Sequence, residues 1–284
     1  MMTWRPTSIG IFTVWSATLA TVVLASGCGR GLTYRGSTSA PDSTPRLLSG
    51  AWFDMSSLIG YWPFEEVSLQ NGDSVLNLTV HPLAGTFLTD NPGVEKSVKG
   101  RVGRAMETDG TGDKVVVGHT SILNWVGGQE ISIMFWVKPT LANADQTFLC
   151  KGTATGNNYS ISNGSSGYES RLVFSYFDGA AWHTFRTDDG PLNFEWTHVA
   201  VTFRMPNSTT EYPVIYANGV AMPGSYVASS PPLPPPQTNA GPLTMSACDA
   251  AEFFSGRLDD VSLWNRILTP GEVALAHLYQ SASP

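Results

Sequence analysis

The chain has 284 residues and a formal net charge of −7 at neutral pH. Its 28 glycines and 19 prolines favour a turn-rich β fold over a helical bundle. The acidic balance, with no cluster of lysine or arginine, argues against a nucleic-acid partner, because a phosphate backbone requires a basic surface. The length allows one large all-β domain with short additions.

The first 27 residues have the composition of an export signal. Arg5 supplies a positive charge, residues 9–25 are apolar and uncharged, and Ala25-Ser26-Gly27-Cys28 follows. These four residues resemble a bacterial lipobox, in which the cysteine is acylated, although Leu24 lies one place earlier than that pattern prefers. We predict a signal peptide over residues 1–27 and a lipid on Cys28. The alternative is an uncleaved signal anchor, because about seventeen apolar residues is the lower limit for a bilayer span.

The segment after the cysteine is predicted to be a flexible tether over residues 28–50. It contains too few large apolar side chains to offset the entropy of ordering it. Gly29 occupies the position at which lipoproteins retained in the inner membrane often have Asp, so we expect the outer membrane of the bacterial cell envelope. The membrane contact would be the lipid anchor only.

Cysteine usage fits an exported protein. Once Cys28 is assigned to lipid, Cys150 and Cys248 remain as an even pair. In an oxidising compartment they would form one disulfide, and the alternative is two buried free thiols.

After Leu58, short apolar runs alternate with turn residues, which is typical of antiparallel sheets. The clearest strand is residues 131–138, whose odd-numbered apolar residues share a face that we expect to be buried between two sheets, whereas Met134 and Trp136 face the other way. Thr269-Pro270-Gly271-Glu272 predicts a capped helix near the end of the chain. Further strands are predicted at residues 58–64, 114–117, 148–151, 159–162, 171–176, 196–203 and 214–217.

Several segments occur in an order typical of a known family. Besides the strand at 131–137, they are Leu58-Ile59-Gly60-Tyr61-Trp62-Pro63-Phe64, Gly103-Arg104-Ala105, Asp109-Gly110-Thr111-Gly112-Asp113, Trp196-Thr197-His198-Val199-Ala200-Val201-Thr202-Phe203, Tyr216-Ala217-Asn218-Gly219 and Gly256-Arg257-Leu258-Asp259-Asp260-Val261. Over residues 58–280 the sequence resembles the laminin G-like branch of the concanavalin A-like lectin/glucanase superfamily. The resemblance implies an all-β, two-sheet antiparallel jelly-roll sandwich with a concave face, and we place this domain, with its short carboxyl-terminal helix, at residues 51–284.

The resemblance leaves the function open, because this superfamily contains lectins, adhesion modules, glycanases and scaffolds. Glycan hydrolysis requires two carboxylates at a set spacing, and glucanases of the family place them on one strand as Glu-x-Asp-x-Glu. Glu107-Thr108-Asp109 begins in this way, but a glycine-rich turn follows and no second Glu arrives. We therefore predict no catalytic residues and a protein that is not an enzyme.

Two acidic groups are candidate calcium ligands. Asp109 and Asp113 combine carboxylates with the carbonyls of a tight turn, and calcium-binding relatives of this fold often have an acidic ligand at the position of Asp113. Asp259 and Asp260 lie where strict alternation breaks, which predicts a bulge that aims one carboxylate inward, where it needs a partner or an ion. The alternative to structural calcium is carboxylates hydrogen-bonded to turn amides.

Ligand binding is expected to depend on aromatic residues. Trp136, Trp182 and Tyr216 are candidates, because flat rings on the implied concave face could stack on sugars. The alternative for each is a structural place in the core or at the rim. We predict a non-catalytic surface module that binds a glycan or an extracellular protein. The alternatives are a purely structural or assembly lipoprotein without a small ligand and an atypical glycanase.

Overall fold

The computed structural model describes residues 54–141, 145–208, 210–227 and 229–281. The predicted signal peptide (1–27), lipidation site (Cys28) and tether (28–50) lie outside these residues. Among the described helices, none has the length and apolarity that a bilayer span requires.

Within the described residues, the strands form two antiparallel sheets. The eight-stranded sheet runs in the order β14 (Val220–Met222), β13 (Val214–Ala217), β12 (Thr197–Arg204), β7 (Glu130–Pro139), β17 (Ser255–Trp264), β5 (Arg104–Asp109) and β4 (Ser97–Lys99), and β1 (Leu58–Trp62) also pairs with β17. The nine-stranded sheet runs in the order β15 (Gly224–Tyr226), β11 (Trp182–Thr187), β10 (Leu172–Phe177), β9 (Gly156–Asn163), β8 (Thr147–Thr153), β16 (Leu243–Met245), β6 (Lys114–Val117), β3 (Gly85–Leu88) and β2 (Ser74–Val75).

The main core lies between the two sheets. The side chains of β7 that face it, as the alternation predicted, are fully buried: Ile131, Ile133, Phe135 and Val137. Aromatic pairs join the sheets across the core: the rings of Phe135 and Phe148 are 5.7 Å apart, and those of Phe174 and Phe203 are 5.4 Å apart. Burying each such ring contributes about 1.5–3 kcal/mol relative to leaving it in water. The predicted two-sheet β sandwich is therefore confirmed.

The carboxyl-terminal helix α1 (Pro270–Ser281) covers the outer face of the eight-stranded sheet. Its start is fixed by the predicted capping box: the amide of Glu272 lies 3.3 Å from Thr269 Oγ1, and the amide of Thr269 donates to Glu272 Oε2 at 2.8 Å. Val273 and Ala276 of α1 pack in a second apolar cluster with residues from this face of the sheet. The sheet is thus buried on both faces where the helix lies.

A disulfide joins Cys150 of β8 to Cys248, with their Cα atoms 5.1 Å apart. Of the two alternatives for this cysteine pair, the structure therefore has the disulfide and not two buried free thiols. The bond fastens the chain after β16 to the outer face of the nine-stranded sheet, because Cys150 lies in register with Ser160 and Thr244, which point outward.

Candidate functional site

A groove of about 360 Å³ lies on the outer face of the nine-stranded sheet. Alternation along β9, β10 and β11 sends large apolar side chains into the core, and the outward positions include the small polar residues Ser160, Ser175 and Thr184. Thr184, Ser175 and Ser160 are consecutive partners across these strands, and Ser175 Oγ lies 3.1 Å from Thr184 Oγ1. The floor of the groove is therefore a row of hydroxyl groups that can both donate and accept hydrogen bonds.

One aromatic side chain forms a wall of this groove. Trp182, at the start of β11, is 38% exposed and lines the groove. Its indole packs against Phe177 with ring centroids 5.2 Å apart, which restricts its orientation. The groove therefore combines an apolar ring with a polar floor.

Charged side chains lie at opposite ends of a second row across the sheet. Arg186, Val173, Ser162 and Thr147 are consecutive partners on β11, β10, β9 and β8. Thr147 Oγ1 donates to Glu252 Oε2 at 2.6 Å, and both Arg186 and Glu252 line the groove. Three strand spacings, about 14 Å, separate the ends of this row, so the groove has a positive end and a negative end.

Two hydrogen bonds of His183, next to Trp182 in β11, were not predicted from the sequence. His183 Nε2 lies 2.8 Å from Asp178 Oδ2, and its Nδ1 lies 3.0 Å from Ser229 Oγ. Neither His183 nor Ser229 lines the groove. We therefore interpret these hydrogen bonds as structural: they hold the chain after β15 against β11. The serine is 46 positions from the histidine, a separation with no recognisable sequence signal.

A family model described as the concanavalin A-like lectin/glucanases superfamily matches residues 109–274, more than half of the chain. The chain belongs to this superfamily. A comparison with curated protein sequences gives no match. The fold and the family thus agree with the resemblance seen in the sequence.

Solved structures resemble the chain in fold at low sequence identity. Domain 4 of AbnA, a GH43 extracellular arabinanase from Geobacillus stearothermophilus, in complex with arabinotriose, has a TM-score of 0.56 at 19% identity, covering 77% of this chain and 97% of that one. The receptor binding domain of botulinum neurotoxin C/D mosaic serotype has a TM-score of 0.55 at 12% identity, covering 79% of this chain and 52% of that one. The binding domain of Paraclostridial Mosquitocidal Protein 1 has a TM-score of 0.55 at 16% identity, covering 78% of this chain and 52% of that one. The chain spans about half the length of these toxin domains, and the likeness concerns the fold alone.

Two of the three aromatic residues predicted to bind a ligand lie outside the groove of this superfamily member. The prediction that Trp136 and Tyr216 line an open concave face is wrong: they are 2% and 3% exposed on the outer face of the eight-stranded sheet, beneath α1. Trp136 Nε1 donates to Gln280 Oε1 of the helix at 2.8 Å. Alternation gives the face on which a side chain lies but not what covers that face. Trp182 is the candidate that the structure places in the groove.

The acidic loop that was predicted to bind calcium has the ammonium group of a lysine beside its carboxylates. Oxygens of Asp90, Asp109 and Asp113 lie within 4.8 Å of one another. Lys96 is buried beside them, with Nζ 2.9 Å from Asp109 Oδ2 and 2.5 Å from Asp113 Oδ2. Burial acts to raise the pKa of Asp109, but hydrogen bonds from Lys96, Thr111 and Asn91 outweigh it and hold that pKa below its usual range. With the ammonium in this position, the loop does not fit a resident calcium ion.

The second acidic pair also has protein partners. The predicted bulge is confirmed by a register shift between Asp259 and Ser262. Asp259 Oδ2 accepts from the backbone amides of Arg101 and Val102 at 2.8 and 3.0 Å. Asp260 accepts from Tyr61 at 2.5 Å and from Gln280 at 3.0 Å.

Burial raises the pKa of both carboxyls, Asp259 and Asp260, above the usual range. Within the described part of the chain, these two acids belong to no group of three whose oxygens could share one ion. Their arrangement fits the hydrogen-bonded alternative to calcium.

Proposed function

We propose that the chain is a non-catalytic module that binds glycans in the groove of the nine-stranded sheet. The observation that carries the proposal is the hydroxyl-lined floor beside the partly exposed ring of Trp182. A sugar has apolar ring faces, which stack on indole, and hydroxyl edges, which exchange hydrogen bonds with serine and threonine. AbnA domain 4, which resembles the chain in fold alone, is in complex with arabinotriose, so a glycan is a ligand that a domain of similar fold can hold.

The cellular setting belongs to the same proposal. A signal peptide over residues 1–27 would export the chain, and lipid on Cys28 would anchor it to the bacterial envelope, with the outer membrane as the proposed location. Residues 28–50 would then act as a tether for the binding domain at 51–284. A groove held away from the membrane in this way could reach glycans outside the cell.

Replacing Trp182 with alanine is expected to weaken glycan binding about 30-fold, because loss of a central aromatic contact costs about 2 kcal/mol. The fold should remain, since Trp182 is partly exposed and lies outside the core. The measurement is binding of the full chain to a glycan array, followed by titration of the tightest glycan.

Phe194→Ala is the matched control, because Phe194 is an exposed aromatic residue that does not line the groove. An array on which no glycan binds would favour the structural or assembly alternative. Equal binding by the Trp182→Ala variant and the native chain would contradict the placement of the site.

A glycanase is the second candidate, because two carboxylates, Asp145 and Glu252, line the groove. Paired carboxylates are the groups that cleave glycosidic bonds. The binding module is expected to release no reducing ends from a panel of polysaccharides. Release that disappears in a Glu252→Gln variant would establish the enzyme instead.

A further inference from the structure

The positive end of the groove is formed by an arginine whose position is restricted by stacking. Arg186 points outward from β11 beside Thr184, and its guanidinium carbon lies 4.0 Å from the centre of the Tyr168 ring. Arg171 shares the same ring at 4.7 Å but does not line the groove. Stacking on an aromatic ring orients a guanidinium and leaves its N–H edge free for a ligand.

Arg186 has no acidic partner among the described residues. Arg204, Arg257 and Arg266 each pair with a glutamate at 2.6–2.8 Å, but none of the ion pairs includes Arg186. The carboxylates that line the groove belong to Asp145 and Glu252, and the bond between Glu252 and Thr147 places that carboxylate at the other end of the cross-strand row. The groove thus presents a guanidinium that forms no ion pair and lies within reach of a bound molecule.

We propose that the ligand of this groove is an acidic oligosaccharide, with a sugar carboxylate paired to Arg186. This inference rests on the proposed glycan-binding function and names its ligand class. The planar guanidinium matches a carboxylate through two parallel N–H···O bonds, and such charge-assisted bonds are stronger than neutral ones. Trp182 and Arg186 lie on the same strand and face, so one ligand can stack on the indole and pair with the guanidinium.

The Glu252 carboxylate at the opposite end of the groove determines the orientation in which an acidic ligand binds. Glu252 would repel a carboxylate placed beside it, whereas its free lone pairs can accept from sugar hydroxyls. The acidic sugar therefore lies at the Arg186 end and a neutral sugar at the Glu252 end.

The test compares a uronic-acid trisaccharide with the same trisaccharide after reduction of its carboxylates to primary alcohols. The full chain is expected to bind the acidic form about tenfold or more tightly, because hydrogen bonds to a charged group are stronger than those to a neutral hydroxyl. Arg186→Gln should abolish this preference by lowering the affinity for the acidic form to that for the reduced form. Arg171→Gln removes the neighbouring guanidinium that lies over the same tyrosine ring, and this variant should keep the preference for the acidic form.

Ionic strength provides a second readout. The preference of the native chain for the acidic form should shrink as salt rises, and the Arg186→Gln variant should show no such dependence. Equal affinity of the native chain for the two trisaccharides, or a preference that survives Arg186→Gln, would overturn the anionic assignment. Binding of the reduced form through Trp182 without a preference would overturn this inference alone, whereas failure to bind any glycan would overturn the proposed function as well.

Discussion

Replacing Lys96 with methionine is expected to destabilise the domain by about 3–5 kcal/mol at neutral pH, because removal of one partner of a buried ion pair leaves the other charge uncompensated. Methionine keeps most of the apolar stem, so the loss comes mainly from the ammonium. Asp113 is fully buried, Asp109 lies at the surface, and both accept hydrogen bonds from Lys96 Nζ. Urea unfolding of the full chain measures the change.

Lys138→Met is the matched control for this substitution. Lys138 pairs with Glu195 at 3.4 Å on the surface, and exposed pairs contribute about 0–1 kcal/mol. A loss in the Lys96→Met variant no larger than in the control would contradict the structural role of the buried ammonium.

The same variant tests the relation between lysine and calcium. Without the ammonium, Asp90, Asp109 and Asp113 keep oxygens close enough to surround an ion. Calcium should therefore raise the melting temperature of the Lys96→Met variant, since a ligand that binds the folded state stabilises it. The native chain should melt at the same temperature with calcium and with a chelator, and a rise in the native chain as large as in the variant would show that the ion displaces Lys96.

Trp136→Ala is expected to have the second large effect, a destabilisation of about 3–5 kcal/mol, which is typical when a buried tryptophan is truncated. The ring is buried between β7 and α1, where it lies 5.0 Å from the Arg101 guanidinium and 5.2 Å from the His198 ring. Its loss leaves a cavity and removes the hydrogen bond to Gln280. Glycan affinity of the folded variant should be unchanged, because the groove lies on the other sheet.

Trp136→Phe separates packing from hydrogen bonding. Phenylalanine fills most of the space but donates no hydrogen bond, so we expect a smaller loss than for alanine. Urea unfolding and array binding of these variants should give the reverse of the Trp182→Ala result: low stability with full binding. A folded Trp136→Ala protein that no longer binds glycans would contradict the separation of the two faces.

The fold was predictable because its determinants are local in sequence. The period-two pattern in residues 131–138 assigned the core face of β7 correctly. The Thr269–Glu272 spacing located the start of α1, and the break in alternation at Asp259 located the bulge. Each of these signals lies within a few residues of the feature it predicts.

The site was predictable only in part, because its geometry depends on distant contacts. Nothing near Trp136 in sequence indicates that α1, more than 130 positions later, covers it. Lys96 and Asp113 are 17 positions apart and meet only after β4 and β5 pair. The cross-strand row from Arg186 to Thr147 likewise depends on the registers of four strands.

Hydrogen exchange of the full chain, with and without the tightest glycan from the array, tests whether the groove of the nine-stranded sheet holds the ligand. If the ligand lies in the groove, amides of β9, β10 and β11 should exchange more slowly when it is bound, while those of α1 and β12 should not change. Slower exchange confined to α1 and the eight-stranded sheet would show that the glycan binds outside the groove.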